Sequence, residues 1–260
     1  MHMHVLLKHF EDVKEPPVVI GALGGSGTRV VTSIVRDAGW WMGGRVIDAT
    51  EDSLPMSAFL NRWFEALLDF PDVPPGILNQ ALADFRKATD AHREGIRHPD
   101  APWGWKNPRN MWLVPFYAFV FKGMKFIHLI RDGRDMSLSA NRFLLETHGP
   151  RLLGPEWMNN PVAAQMELWR IGNPRAADSA ALLPPGHYLL LRYEELCSKP
   201  RETVPHLLNF LGVGQGMSEE LVGKISPSDG IGRWRGVGGA EMAALTSQAK
   251  DELERFGYET

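Results

Sequence analysis

Residues 18–23, VVIGAL, form a short apolar run between Pro17 and a glycine cluster, a pattern that suits a buried strand better than a helix. Two further runs share that character: 124–130, MKFIHLI, and 187–192, HYLLLR, the second entered through Pro184-Pro185-Gly186. Between and around them, apolar positions recur at helical spacing. They predict helices over 28–38, 56–69, 77–93, 109–121, 134–146, 161–182, 201–211, 218–225 and 240–255. Strands alternating with helices predict an α/β fold with a mainly parallel central sheet and helices on both faces. Ligands on such sheets bind beyond the carboxyl ends of the strands. Neither an internal repeat nor a linker breaks the pattern, so residues 1–260 are expected to form one domain.

Composition narrows the picture. At 260 residues and 44% hydrophobic side chains, the chain can bury a substantial core. A net charge of -3 argues against an unspecific nucleic-acid binder. The cations are unevenly placed: Arg29, Lys106, Arg109, Arg131, Arg134, Arg233 and Arg235 all fall in segments that read as loops after strands or as glycine-rich turns. A small anionic ligand could be gathered there. The single cysteine, Cys197, excludes an internal disulfide, and MHMHVLLKHFEDVKEPP lacks the apolar core of a signal peptide, so a cytoplasmic location is expected. The most apolar segment, Trp112 to Phe121, is about half the roughly 20 residues of a membrane helix and contains Pro115, so no membrane span is expected. The histidines are scattered, no cluster has metal-ligand spacing, and no metal is expected.

Three stretches carry candidate chemistry. After the first strand, Gly24, Gly25, Ser26, Gly27, Thr28 and Arg29 form a P-loop-like strand-loop-helix, in which backbone N–H groups and the helix dipole converge on one point suited to an anion. The loop matches neither G-x-x-x-x-G-K-[ST] nor G-x-G-x-x-G, because Thr28 stands where the lysine should be and Gly27 is followed by Thr28-Arg29-Val30. The second stretch ends a strand in Arg131 and carries Ser139 eight residues on, a guanidinium fork and a hydroxyl that could share one phosphate. The third, residues 226–239, is rich in glycine and arginine and reads as a functional loop.

Taken together and in order, these segments resemble the PAPS-dependent sulfotransferases (PAPS, 3′-phosphoadenosine-5′-phosphosulfate) of bacterial type. Gly25-Ser26-Gly27-Thr28-Arg29 resembles their 5′-phosphosulfate loop, and Arg131 with Ser139 their 3′-phosphate site. Trp105-Lys106-Asn107-Pro108-Arg109, Arg192-Tyr193-Glu194-Glu195-Leu196 and Gly232-Arg233-Trp234-Arg235 resemble three further family elements. The resemblance implies transfer of a sulfuryl group from PAPS to an acceptor hydroxyl or amine, with release of PAP, adenosine 3′,5′-bisphosphate. Lys106 and the amides of residues 26–28 would then stabilise charge on the transferring group. Arg131, Ser139 and the loop of Arg233 and Arg235 would hold the 3′-phosphate, with Tyr193 near the adenine.

Departures from the family pattern matter too. Many members have Lys or Arg where this chain has Gly25, and Arg29 is the candidate substitute. The histidine base of phenol and steroid enzymes has no counterpart, since Lys106 is followed by Asn107 and Pro108. Tyrosyl-protein sulfotransferases draw a glutamate from the segment after the first helix, which here offers Glu51, with Asp52 in reserve; a plain cap on the next helix by Asp52 or Ser53 is the competing reading. The acceptor is expected to be a small molecule or glycan. Trp40, Trp41, Met42, Trp63 and Phe64 could line its site, although such positions more often belong to a core. Two other functions stay open at this point: a PAP- or nucleotide-binding module without catalysis, and a small-molecule kinase with a degenerate P-loop.

Overall fold

The computed structural model describes residues 7–10, 13–226, 228–237 and 239–260. Four strands, β1 (Val18–Ala22), β2 (Gly104–Lys106), β3 (Lys125–Ile130) and β4 (Tyr188–Arg192), form one sheet in the order β2-β1-β3-β4. Every pairing is parallel, with Ile20 opposite both Lys106 and Ile127, and Ile127 opposite Leu189. The chain leaves β1 for β2 on one side and returns to β3 on the other. Such a reversal opens a crevice at the carboxyl edge of the sheet.

Strand alternation sends side chains to two separate cores. Val18, Ile20, Ala22, Ile127 and Leu129 face one side, where α1 (Thr28–Asp37) contributes Val31, Ile34 and Val35 and α9 (Pro200–Leu211) contributes Val204, Leu207 and Leu208. Val19, Phe126 and Ile130 face the other side. There they meet α2 (Leu54–Leu67), α3 (Pro75–Arg93), α4 (Val114–Val120) and α7 (Pro161–Asp178) through residues such as Phe59, Phe85, Phe116 and Trp169. The expected α/β layering with helices on both faces is therefore present.

Three expected helices are broken: the one over 240–255 divides at Ala249 into Ala240–Gln248 and Lys250–Arg255, and the other two break for a local reason. Instead of a helix over 109–121 there is a 3-10 turn, Pro108–Trp112, followed by α4. The Asn107 side chain caps the turn by accepting from the Arg109 amide at 3.0 Å, and Pro115 cannot donate the backbone bond that would carry one helix through. The expected helix over 134–146 is split into α5 (Gly133–Ser137) and α6 (Phe143–Leu153). Between them the Ser139 hydroxyl accepts from the Asn141 amide (3.2 Å) and the Asn141 side chain from the Phe143 amide (3.4 Å). Such side-chain bonds compete with the helical ladder. At three residues, β2 is too short to show any alternation. Further α-helices are α8 (Tyr193–Ser198), α10 (Ser218–Val222), α11 (Trp234–Val237), α12 (Ala240–Gln248) and α13 (Lys250–Arg255).

Candidate active site

Each strand delivers a polar residue at its carboxyl end: β1 leads into the glycine loop, β2 ends at Lys106, β3 is followed by Arg131 and β4 by Tyr193. Gly25 and Gly27 have φ of 96° and 88°, the left-handed region that glycine tolerates without strain. Space demands glycine as well. A methyl group on Gly27 would collide with the ring of Tyr193, and one on Gly25 would lie 2.8 Å from Ser139 Oγ. Ser139 and Tyr193, distant in sequence, thus close around the loop. Thr28 opens α1 with Gly27 at its N-cap. The Ser26 hydroxyl points inward, donating to the Leu23 carbonyl at 2.7 Å.

Beside this loop lies a cavity of ≈ 630 Å³, bordered by Gly25, Gly27, Thr28, Arg29, Asp52 and Lys106. Lys106 is 2% exposed. Its Nζ donates to Asp52 Oδ1 at 2.6 Å and to the Thr50 carbonyl. Burial pulls the Lys106 pKa below the ordinary lysine value, opposed by the Asp52 carboxylate that favours its charge. The exposed Arg29 reaches the Ala49 carbonyl (3.5 Å) on the same wall.

The two acids of the 47–53 segment part company. The Ile47 carbonyl accepts from both the Thr50 amide (3.1 Å) and the Glu51 amide (2.7 Å), closing a tight turn with Glu51 at φ 58°. Glu51 then pairs with Arg36 at 3.4 Å, whereas Asp52 turns to Lys106 and borders the cavity. Ser53 caps α2, accepting from the Met56 amide at 3.4 Å.

Arg131 occupies the other side of the glycine loop. Its Nη1 donates to the Gly25 carbonyl at 3.4 Å, its Nη2 donates to the Gly230 carbonyl, and its guanidinium lies 5.1 Å from the centre of the Tyr193 ring. The fully buried Asp135 fixes the late loop by accepting from the amides of Gly232 (2.7 Å) and Trp234 (3.1 Å). Arg233 donates to the Asp135 backbone carbonyl, and its pKa is lowered first by burial and then by the nearby Arg131. Arg134 forms a two-pronged pair with Asp132 (2.9 and 2.8 Å) and stacks on Trp234. Arg235 flanks the same indole at 4.8 Å and borders a separate surface recess, so it is not brought to the cavity.

A model of the sulfotransferase family matches residues 17–215. The chain belongs to the sulfotransferase family. Its fold is similar to that of the sulfotransferase domain from the Synechococcus PCC 7002 olefin synthase, at 18% identity and TM-score 0.58 over 96% of this chain and 98% of that one. It is also similar to a sulfotransferase from Alicyclobacillus acidocaldarius (14% identity, TM-score 0.56, 95% and 98% covered). A mouse sulfotransferase complexed with PAP shares the fold too (14% identity, TM-score 0.53, 99% and 91% covered). No curated protein sequence matches the chain. Family membership makes sulfuryl transfer the chemistry of this enzyme, and no finding favours a non-catalytic module or a kinase. No described helix is long and apolar enough to cross a membrane.

Against this sulfotransferase framework, the aromatic cluster considered from sequence lies elsewhere. Trp40, Met42, Trp63 and Phe64 are buried in the two cores, and Trp41 donates to the His92 carbonyl. The cavity instead borrows Ile47, Asn61, Asn141, Phe143 and Leu144. Asn141 and Phe143 sit where a continuous helix was expected, and the Ser-Ala-Asn spacing of 139–141 was the available signal for a turn there.

Proposed function

We propose that this sulfotransferase uses PAPS as donor and an acceptor hydroxyl as nucleophile, releasing PAP. The observation that carries the reading is the meeting of two anion sites at Gly25, whose carbonyl accepts from Arg131 while Ser139 Oγ takes the space a side chain there would need. A ligand with phosphate groups at two ends of one nucleoside fits that juxtaposition. The fit is supported by Arg131 itself, whose buried Nε has no partner among the described residues. When bound, PAPS supplies the sulfur that the acceptor oxygen attacks and the phosphate that departs.

The chain's own groups then have distinct tasks. The amides at the start of α1 and the Lys106 ammonium supply positive charge where oxygen charge builds. Asp52, rather than Glu51, takes the acceptor proton, because Asp52 borders the cavity and Glu51 is turned to Arg36. Protonating Asp52 also weakens its hold on Lys106, freeing that charge for the leaving oxygen as the bond to sulfur breaks. Arg29 stands in for the cation that Gly25 replaces. Arg131, Ser139 and Arg233 hold the 3′-phosphate, and Tyr193 supports both the loop and Arg131.

Thermal unfolding with PAP and with Mg-ATP tests the nucleotide assignment. At one hundred times its dissociation constant, PAP is expected to stabilise the fold by about 2.7 kcal/mol, with a far smaller shift from ATP at equal concentration. Equal shifts, or a larger one with Mg-ATP, would return the chain to a kinase-like reading.

A further inference from the structure

Arg109 is 4% exposed and borders the same cavity as Lys106. Its position is rigid. Asn107 caps the 3-10 turn that carries it, Asn110 Nδ2 donates to the Ile20 carbonyl at 2.9 Å, and the missing side chain of Gly21 lets the Met111 amide sit against β1.

What Arg109 lacks is a counter-charge. Arg131 has Asp135 at 3.8 Å and Arg134 has Asp132 at 2.8 Å, but no carboxylate lies within 4.0 Å of Arg109 among the described residues. Nε reaches Asn107 Oδ1 at 3.4 Å, and the buried Nη1 has no partner. The acids nearest in influence are committed elsewhere: Asp52 is bonded to Lys106, and the Tyr117 phenol is kept neutral by burial while donating to Asn110 Oδ1. Burial disfavours the charge of Arg109, yet a guanidinium cannot be deprotonated in a protein at ordinary pH. A desolvated cation without an acid is costly unless a ligand completes it. Around it stand the rings of Phe64 and Phe143, at 5.9 and 5.3 Å from the guanidinium carbon, and Phe143 is half exposed.

We propose that Arg109 reads the acceptor: the accepted substrate is a hydroxy acid whose carboxylate pairs with the Arg109 guanidinium while its apolar body lies along Phe143 and Leu144. The inference deepens the sulfuryl-transfer reading and rests on this cavity being the acceptor side. A single spare cation calls for a single negative charge, and the planar guanidinium fork suits a carboxylate. Arg109 is then a specificity residue for the reaction.

Matched acid and amide pairs test this without any turnover. Calorimetric titrations would use 4-hydroxybenzoate against 4-hydroxybenzamide, 3-(4-hydroxyphenyl)propanoate against its amide, and 10-hydroxydecanoate against its amide, each with and without PAP. In at least one pair the acid is expected to bind about ten- to a hundredfold more tightly, the range of a charge-assisted hydrogen bond. Arg109→Met should erase that ratio while leaving the PAP dissociation constant unchanged, and Arg109→Lys should keep part of it. Equal binding within every pair, saturation by neither member of any pair, or a ratio that survives in Arg109→Met overturns the proposal. The wild-type ratios decide even if a variant fails to fold. Failure of PAP to bind would strike the nucleotide reading instead, with the PAP-free titrations still judging Arg109.

Discussion

Lys106, the last residue of β2, and Arg131, the first after β3, each stand at the carboxyl end of a strand, yet their charges are held differently. Lys106 is matched by one carboxylate at 2.6 Å in a pair that is neutral as a unit. Arg131 is held by the carbonyls of Gly25 and Gly230, with the Asp135 carboxylate at 3.8 Å and engaged by two backbone amides. Arg233 stands beside it, close enough that Arg131 disfavours its charge. The contrast matches the two tasks proposed for these corners. A corner that only binds an anion benefits from fixed cations, whereas a corner where charge moves benefits from a cation and a carboxylate that can exchange partners.

The strongest way to break this comparison is to remove the pair at the reacting corner. Lys106→Ala is expected to lower turnover by about 10³-fold, and Asp52→Asn by about 10²- to 10⁴-fold, while PAP affinity stays within about threefold in both. Steady-state rates alongside PAP titrations make the check; an active Lys106→Ala enzyme would refute the assignment. If Lys106 acts as proposed, its protonated form is the active one, and burial lowers its pKa. Turnover should therefore fall as pH rises, with the alkaline limb below the ordinary lysine range.

The binding corner should respond in the opposite sense. Arg131→Ala is expected to weaken PAP by about ten- to a hundredfold and 5′-AMP hardly at all, because in the proposed assignment the lost charge-assisted contact serves only the 3′-phosphate. Comparable losses for both ligands would detach Arg131 from that phosphate.

How much of this was legible depended on range. The strand-loop-helix at 18–38 could be read locally, since a buried run, φ-permissive glycines and a helix start all lie within two dozen residues. The same holds for the ends of β3 and β4, which place Arg131 and Tyr193. By contrast, β2 pairs over only three residues, its place set by partners in β1, and no local pattern announces it. The break after Ser137 had only a weak signal, the Ser-Ala-Asn spacing of 139–141, until the side chains of Ser139 and Asn141 are seen bonding the backbone. Which aromatic residues face the cavity is decided by tertiary packing: Trp63 and Phe64 joined the core, and Phe143 did not.

The smallest effect is expected at Glu51, and it sharpens the comparison most. Adjacent acids in one turn are separated by a single backbone feature: the left-handed φ of 58° at Glu51. That geometry sends Glu51 to Arg36 on α1 and leaves Asp52 to face Lys106. The Arg36 pair is partly exposed, with both side chains about one-third or more accessible, and such pairs contribute at most about 1 kcal/mol. Glu51→Gln keeps the shape and the αL-tolerant turn largely intact while removing the charge. Turnover is then expected to stay within about threefold of wild type, with PAP affinity unchanged, as against the large loss in Asp52→Asn. Measuring kcat for the two variants side by side decides between the neighbours: a Glu51→Gln enzyme as inactive as Asp52→Asn is expected to be would return the base to Glu51 and require the turn to rearrange when substrates bind.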